Sequence, residues 1–394
     1  MEREGTEWND VPLKQLEENI ELMRNGMAVN LPQLYALPSR AGVVHENFVR
    51  RLKEGKWGFI LVMGENRAGK SAYLKHVQSI ALRYDYCIVN IELEEEEIKD
   101  YGSNNYFSRA FYNKLRLPDG QLFTHKFSQD EKFRRKIGKI LEERRSDFEH
   151  YSPPLTSALL FAATSDDAKL STLARAWLRG EPQYLSDLRE IEIFDRKARS
   201  LLDVLTANIL YFMKELVSAL GYQGLFVLVD EVERAGSLPA AKGKETLFIL
   251  RNLINALVSE EAQLAKRGIL NGIFLCFAIS TYYLGFGQVI ATDSVAFKAR
   301  ADREGRPKVL ITDVPRLGNL LKQSATLVDV EVDEADLERI AAKILNCYER
   351  VENKRSQKTP KELVDEAIER TRAPLAGPNV QQMVKILDIE SKNK

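Results

Sequence analysis

The sequence of 394 residues is long enough for two or three domains, and its 44% hydrophobic and 29% charged residues are those of an ordinary globular protein. Its 57 basic and 57 acidic side chains cancel, which excludes a globally basic nucleic-acid binder but not local basic patches. The longest apolar runs are too short to cross a bilayer, and three widely spaced cysteines exclude a disulfide framework and a Cys-x-x-Cys metal site. The first residues show no secretory signal, so we expect a cytoplasmic protein that makes no contact with a membrane.

The first part of the chain predicts a helical lead-in followed by a parallel β-sheet. Residues 1–56 contain apolar positions at helical spacing. The short apolar run at 57–64 predicts a buried strand, the segment from 70 to about 83 predicts a helix, and 86–93 predicts a second strand. Strand, loop, helix and strand in this order form a βαβ unit, whose two strands run parallel in one sheet.

Beyond the βαβ unit the pattern becomes helical. Residues 101–222 show no convincing strand but several helical segments, among them 129–148 and 196–220, so we predict a helical insertion. The strand pattern returns at 224–231 and, after an amphipathic helix, at 271–281. Shorter strand candidates follow at 308–313 and 328–332. Three C-terminal helical segments come after them, at 334–352, 360–371 and about 378–390.

The most specific motif is the octapeptide GENRAGKS at residues 64–71, which fits the pattern Gly-x-x-x-x-Gly-Lys-Ser. A glycine-rich turn of this kind presents backbone N–H groups to phosphate oxygens, and the helix that begins there adds the positive end of its dipole. Lys70 is placed to reach the β- and γ-phosphates of a nucleotide, and the Ser71 hydroxyl to hold Mg²⁺. The predicted nucleotide site consists of Gly64, Glu65, Asn66, Arg67, Ala68, Gly69, Lys70, Ser71 and Ala72.

A second motif ends the apolar strand LFVLVDE. A carboxylate there lies at the carboxyl edge of the sheet, where open α/β folds bind ligands. Asp230 fits the role of a Mg²⁺ ligand beside Ser71, and Glu231 that of the group that orients or deprotonates the attacking water. The alternative for Asp230 is a cap on the following loop. The adjacent acid pair favours hydrolysis over phosphoryl transfer to a metabolite, so a small-molecule kinase is the remoter alternative.

The order of these motifs resembles that of AAA+ and closely related P-loop ATPases, and among them the accessory ATP-binding proteins of bacterial BREX (bacteriophage exclusion) loci, the BrxD type. Besides the two motifs, four segments carry the resemblance: ENIELMRNGMAV at 18–29, NIELEEEE at 90–97, GLFVLVDEVERA at 224–235 and GKETLFILRNLIN at 243–255. The resemblance implies an ATP- and Mg²⁺-dependent ATPase that acts as a nucleotide-driven switch or motor in a phage-defence or DNA-modification system. It further implies protein partners, DNA and assembly into a homo-oligomer.

Further polar residues are candidates for the same site. In AAA+ ATPases a polar residue called sensor 1 ends the next strand, where this chain has Ser280; satisfying backbone groups at the strand end is an equal alternative. Arg303 or Arg306 would be an arginine finger supplied to a neighbouring subunit, against the alternative of an exposed loop with local ion pairs. The sensor-2 arginine of the class has no counterpart in GPNVQQ at 377–382. Either Arg372 substitutes for it, or the lid does not sense the γ-phosphate directly.

Other polar and aromatic clusters have a structural explanation that we weigh first. Arg135, Lys136 and Lys139 on a predicted helix could face DNA, but nearby glutamates favour a solvated face with ion pairs between residues four apart. Asn90, inside the second strand, is predicted to be buried and hydrogen-bonded, with restraint of the catalytic glutamate as a weaker alternative. The aromatic residues at 101–112 predict core packing before base stacking, and the four scattered histidines predict no metal site.

These observations predict an α/β fold of the P-loop NTPase type, similar to AAA+ domains: a parallel five-stranded sheet with nucleotide at its carboxyl edge, a long helical insertion and a C-terminal helical lid. The predicted division is 1–56, N-terminal helical lead-in; 57–100 and 223–320, ATPase core; 101–222, helical insertion; and 321–394, helical lid. Slow ATP hydrolysis is the expected activity. One alternative is a DNA-loading or initiator-type AAA+ ATPase, which we expect less because a winged-helix domain would find little room after the lid. The other is a nucleotide-gated scaffold with little turnover.

Overall fold

The centre of the protein is a six-stranded β-sheet. The computed structural model describes residues 11–25, 27, 34–64, 67–239, 241–243, 245–246, 249–250, 253, 271–280, 325–330, 332–353, 355–371 and 376–392. The strands are β1 (Gly58–Gly64), β2 (Tyr86–Glu92), β3 (Leu115–Arg116), β4 (Gly224–Asp230), β5 (Ile273–Ser280) and β6 (Ala325–Asp329). They lie side by side in the order β3-β2-β4-β5-β1-β6.

Five of these strands run parallel. β1 lies between β5 and β6, and β4 lies between β2 and β5, each pair in parallel register. The short β3 pairs antiparallel with β2 at one edge of the sheet. The predicted parallel five-stranded sheet is therefore confirmed, with β6 as the fifth parallel strand. The strand candidate at 308–313 lies outside the described residues.

The parallel strands are apolar along their length because helices cover both faces of the sheet. Phe59 and Leu61 belong to the buried cluster on one face, and Ile60 and Val62 to the cluster on the other. Side chains alternate between the faces along a strand, so a strand that is buried on both sides shows no polar positions. Burying each such side chain contributes roughly 1.5–3 kcal/mol.

Helices α2 (Gly42–Lys53) and α3 (Lys70–Arg83) cover the face that Ile60 and Val62 share. α3 buries Tyr73, Leu74 and Val77, residues three and four apart that form one apolar stripe. The predicted helix from 70 to about 83 is confirmed.

The helical insertion covers the other face. Its described helices are α4 (Glu95–Tyr101), α5 (Ser103–Asn113), α6 (Phe123–Gln129), α7 (Glu131–Glu143), α8 (Arg145–Tyr151), α9 (Pro153–Thr164), α10 (Ala168–Leu178), α11 (Leu185–Glu190) and α12 (Thr206–Ala219). The predicted helix at 196–220 is wrong in its first half, which is an irregular segment with a 3₁₀ turn at Leu201–Asp203. Ser200 caps that turn in a capping box with Asp203, so its hydroxyl supports a turn there and not a helix interior.

The polar and aromatic clusters of the insertion have the structural roles predicted for them. Arg135 pairs with Glu131 at 2.5 Å and Lys139 with Glu143 at 3.7 Å, both between exposed residues four apart on α7. Lys136 donates to the Leu220 carbonyl at 2.8 Å. The aromatic side chains of α5 are buried at 5% exposure or less, namely Tyr106, Phe107, Phe111 and Tyr112. The predictions of a solvated helix face and of core packing are thus confirmed.

The C-terminal helices α13 (Glu334–Glu352), α14 (Pro360–Thr371) and α15 (Ala376–Lys392) share a buried apolar cluster with α1 (Leu13–Arg24). Arg24 donates to the carboxylate of Asp388 at 2.7 and 2.9 Å, which ties α1 to α15. The helices of residues 1–56 thus contact different parts of the molecule, α1 the C-terminal helices and α2 the sheet. The predicted division into domains stays a prediction.

Residues 34–39, which we call the connector, come between α1 and α2 in the sequence and contact α13. Ser39 N–H donates to Asp336 at 3.1 Å, and Arg339 donates to the Leu37 carbonyl at 3.0 Å. One turn further along α13, Lys343 donates to the Tyr35 carbonyl. These α13 residues are spaced three and four apart, so they form one side of the helix and fasten the connector to it. Within the described part of the chain, no helix combines the length and apolar character that crossing a bilayer requires.

Candidate nucleotide-binding site

The glycine-rich turn lies between the end of β1 and the start of α3. Gly64 is the last residue of β1, and α3 begins at Lys70. Gly69, directly before the helix, has φ +105°, in the left-handed region that glycine adopts without a steric penalty. The first N–H groups of a helix have no partner within it, so those of α3 are available to an anion. Glu65 and Asn66 lie outside the described residues.

Close packing, and not its backbone angles, requires a glycine at position 64. A Cβ atom there would lie 2.7 Å from Val330 Cγ2 and 3.1 Å from Ala68 Cβ. Because neighbouring atoms must shift to admit it, we expect Gly64→Ala to lower the free energy of unfolding by roughly 1–3 kcal/mol. Chemical denaturation measures this change.

The double variant Gly64→Ala/Val330→Ala is the matched control, because it removes the methyl group that the new Cβ would meet. We expect Gly64→Ala to cost clearly less in a Val330→Ala background than in the wild type. If the losses of unfolding free energy in the two single variants add up to the loss in the double variant, the two residues do not interact in this way.

The ammonium of Lys70 lies over the glycine-rich turn. The side chain is 8% exposed, and its Nζ donates to the Gly64 carbonyl oxygen at 3.2 Å. Nζ also lies 4.0 Å from Oε1 of Glu233. A buried cation near a carboxylate, at the N-terminus of a helix, forms a site for an anionic ligand.

The hydroxyl of Ser71 and the carboxylate of Asp230 meet although the two residues are far apart in sequence. Ser71 Oγ donates to Asp230 Oδ2 at 2.7 Å. The other carboxylate oxygen, Oδ1, accepts from the backbone N–H of Glu231 at 2.8 Å. Two oxygen donors that converge in this way fit the preference of Mg²⁺ for oxygen ligands. The two residues predicted as metal ligands are therefore neighbours in space.

Glu231 follows directly and has a left-handed backbone, with φ 56° and ψ 39°. Its Oε2 lies 2.5 Å from Nε of Arg234 but has no hydrogen-bond partner, so the ion pair is close without hydrogen-bond alignment. Burial raises the pKa of the Glu231 carboxyl, Arg234 lowers it, and Glu92, Asp230 and Glu233 raise it. Burial is the largest of these influences, and the pKa of the Glu231 carboxyl is raised overall.

These groups line one cavity of about 630 Å³. One side is polar and consists of residues 67–72 of the glycine-rich turn and α3 with the charged residues at 230–234. The other side is apolar and comes from α1, the connector, α13 and α15, with Met23, Leu34, Tyr35, Ile340, Ile344 and Val380 among its residues. The volume falls in the range of small-molecule sites, and the division into a polar and an apolar side suits a nucleotide.

Ser280, predicted as sensor 1, ends β5 and pairs in register with Gly64. The strand end therefore lies beside the glycine-rich turn, while the Ser280 side chain lies outside the described residues. Arg303, Arg306 and Arg372 also lie outside them.

Asn90 is exposed, so the prediction of a buried, hydrogen-bonded side chain is wrong. The last residues of β2 alternate between buried and exposed positions, and Asn90 lies on the exposed side with Glu92. A continuous apolar run does not reveal this, because the face of a strand stays covered only as far as the helices above it extend.

Glu233 and Arg234 line the cavity, although the sequence analysis gave them no role. The only signal was the charged stretch DEVER itself, because charges just after a strand are usually solvated loop residues. Their contacts with Lys70 and Glu231 depend on a 3₁₀ turn at Val232–Gly236, which the sequence pattern does not predict.

Two of the scattered histidines meet behind the cavity. The rings of His45 and His76 stack with centroids 5.2 Å apart, and Tyr35 stacks on His76 at 4.5 Å. Burial lowers the pKa of His45 to about 4 and that of His76 to about 3, so both rings are neutral at physiological pH. Among the residues that the structure describes, no three or more His, Cys, Asp or Glu side chains are grouped to hold a metal ion. The rings pack the connector against α3.

Comparison with known proteins finds similarity to a protein family and to a solved structure. No curated protein matches the sequence. A solved structure, the Walker-type ATPase PABY2304 of Pyrococcus abyssi, aligns over 90% of this chain and 71% of its own, with 14% identity and a TM-score of 0.37. The family model of the BREX system ATP-binding protein BrxC/D matches residues 120–269, which include most of the insertion and β4 with Asp230 and Glu231. The resemblance to BREX ATP-binding proteins that the sequence predicted is thus confirmed over this segment.

Proposed function

We propose that the chain binds ATP with Mg²⁺ and hydrolyses it. The observation that carries the proposal is the 2.7 Å hydrogen bond between Ser71 and Asp230, because it brings the hydroxyl of the glycine-rich turn to the acidic end of β4. The residues present fit the cofactor: two converging oxygen donors, a buried lysine and a turn closed by Gly64 and Gly69. Bound Mg²⁺ would neutralise charge on the phosphates.

In this proposal the two sides of the cavity hold the two ends of the nucleotide. The N–H groups at the start of α3 and the ammonium of Lys70 bind the phosphates. Ser71 and Asp230 hold the metal. The apolar side, with Tyr35 and Ile344 among its residues, receives the base, which buries its faces against apolar side chains.

Glu231 is the group that orients water and accepts its proton. It lies next to the proposed metal ligand Asp230 in the same cavity. Burial raises the pKa of its carboxyl, which makes the carboxylate a stronger base than an exposed glutamate. Slow turnover is supported by the ion pair with Arg234, because the guanidinium lowers the pKa of the Glu231 carboxyl and so makes its carboxylate a weaker base.

The similarity to BREX system ATP-binding protein BrxC/D supports a role in defence against bacteriophage. In that role the protein is a cytoplasmic, nucleotide-driven switch that engages protein partners and DNA as a homo-oligomer, with Arg303 or Arg306 supplied to a neighbouring subunit. The ion pair of Glu231 also favours a second candidate function, a scaffold that binds ATP with little turnover.

Ser71→Ala tests the proposal, with Ser79→Ala as the matched control on the same helix. The Ser79 hydroxyl donates to the His76 carbonyl of its own helix at 2.7 Å. We expect Ser71→Ala to lower ATP turnover roughly 10- to 100-fold and to raise the Mg²⁺ concentration needed for half-maximal phosphate release, while Ser79→Ala changes neither. Equal Mg²⁺ dependence of both variants would contradict the metal site. Tight ATP binding without any phosphate release, even with DNA and partners, would favour the scaffold.

A further inference from the structure

The turn that follows β4 carries charges that all face the same cavity. Glu231, Glu233 and Arg234 line it together with Lys70. Val232, between them, is 1% exposed and anchors the turn in the core. Each cation of this group lies next to a carboxylate of the turn. Arg234 lies next to Glu231, and Lys70 lies next to Glu233. A ligand with several negative charges would therefore compete with both carboxylates.

The contact of Arg234 with Glu231 is held by the backbone as well as by charge. Arg234 N–H donates to the Glu231 carbonyl at 2.9 Å, which fixes the two residues on one 3₁₀ turn. The guanidinium Nε then lies 2.5 Å from Glu231 Oε2, and a second guanidinium nitrogen donates to the Leu93 carbonyl at 3.4 Å, at the limit of a hydrogen bond. The Arg234 side chain is 40% exposed, so it has room to change rotamer.

We propose that Arg234 is a positioning residue that holds Glu231 in this ion pair and exchanges it for the terminal phosphate of bound ATP. This inference rests on the proposed function. The physical reason is charge: a guanidinium prefers a phosphate, which offers several acceptor oxygens and more negative charge than a carboxylate. Once the guanidinium moves, the carboxylate of Glu231 is free to accept a proton from water. ADP lacks the terminal phosphate and leaves the ion pair in place.

The exchange gives the chain a means of telling ATP from ADP with a residue of its own. Arg234 reaches the cavity from the turn that carries Glu231, so sensing of the phosphate and release of the carboxylate occur through one side chain. The left-handed backbone of Glu231 keeps that side chain close to Arg234.

The test is a cycle of dissociation constants for ATP and ADP, measured with Mg²⁺ by calorimetry in the wild type, Arg234→Gln, Glu231→Gln and the double variant. We expect Arg234→Gln to weaken the affinity for ATP roughly tenfold more than the affinity for ADP, because one charge-assisted contact with the terminal phosphate is lost. We expect Glu231→Gln to raise the affinity for ATP severalfold, since an anion no longer holds the guanidinium. This gain in affinity should vanish in the double variant. Arg234→Lys keeps the charge and should keep most of the preference for ATP.

Two results would overturn the exchange. One is an equal loss of ATP and ADP affinity in Arg234→Gln, which would give Arg234 a purely structural role. The other is the same tightening by Glu231→Gln with and without Arg234. A wild-type protein that binds neither nucleotide would instead refute the proposed function on which the inference depends, so the two failures are distinguishable.

Discussion

Glu231→Gln is expected to abolish most ATP turnover while ATP binding is retained or tightened. The amide occupies the same space as the carboxylate but does not accept a proton, so the contribution of a general base, roughly 100- to 10,000-fold in rate, is lost. Phosphate release under saturating ATP and Mg²⁺ measures the first effect, and calorimetric titration measures the second.

Glu245→Gln is the control for this variant, because Glu245 is exposed and does not line the cavity. It should hydrolyse ATP at the wild-type rate. Turnover by Glu231→Gln within a few-fold of the wild type would remove Glu231 from the chemistry. Loss of ATP binding in the same variant would show instead that the carboxylate has a structural role.

Lys70→Ala is expected to reduce both nucleotide affinity and turnover, with kcat/KM falling at least about 100-fold. The substitution removes the positive charge that lies over the glycine-rich turn and leaves Glu233 without the cation 4.0 Å away. The phosphates would then lie near the Glu233 carboxylate without the ammonium that offsets its charge. Fluorescent-nucleotide titration and phosphate release give the two quantities.

Lys99→Ala provides the comparison, because Lys99 makes an exposed ion pair with Glu95 on α4, a kind of contact that contributes little. It should bind nucleotide as the wild type does. A Lys70→Ala protein with unchanged affinity would place the phosphates elsewhere and would remove the basis of the proposed site.

The parts of the fold that the sequence predicted are those with a strong local pattern. The apolar runs of β1, β2, β4 and β5 have a single consistent reading, because a short run that is apolar on both faces suits a strand buried between helices. α3 follows from its apolar stripe and from the glycine directly before Lys70. The meeting of Ser71 with Asp230 follows from topology, since the carboxyl ends of parallel strands lie at one edge of the sheet.

What the sequence did not predict depends on contacts between distant segments. The two-residue β3 is too short to show an alternation of apolar and polar residues, and it is defined by its pairing with the edge of β2. The segment before Thr206 has helix-forming residues, yet the capping box at Ser200 ends the local helical tendency. The ion pair of Glu231 with Arg234 depends on a backbone angle at Glu231 that most residues avoid, so no spacing rule reveals it.

The position of β1 in the sheet bears on how the protein folds during synthesis. Both neighbours of β1 are synthesised long after it: Phe59 pairs with Leu275 on one side and with Ala325 on the other. Pairing over such sequence separations is slow, because a long loop must close before any contact forms. The strand that carries the glycine-rich turn therefore has two unpaired edges until β5 is synthesised, and one unpaired edge until β6 follows. Fragments that end before β6 would expose those edges to aggregation, and chaperones would be expected to bind the nascent chain at this stage.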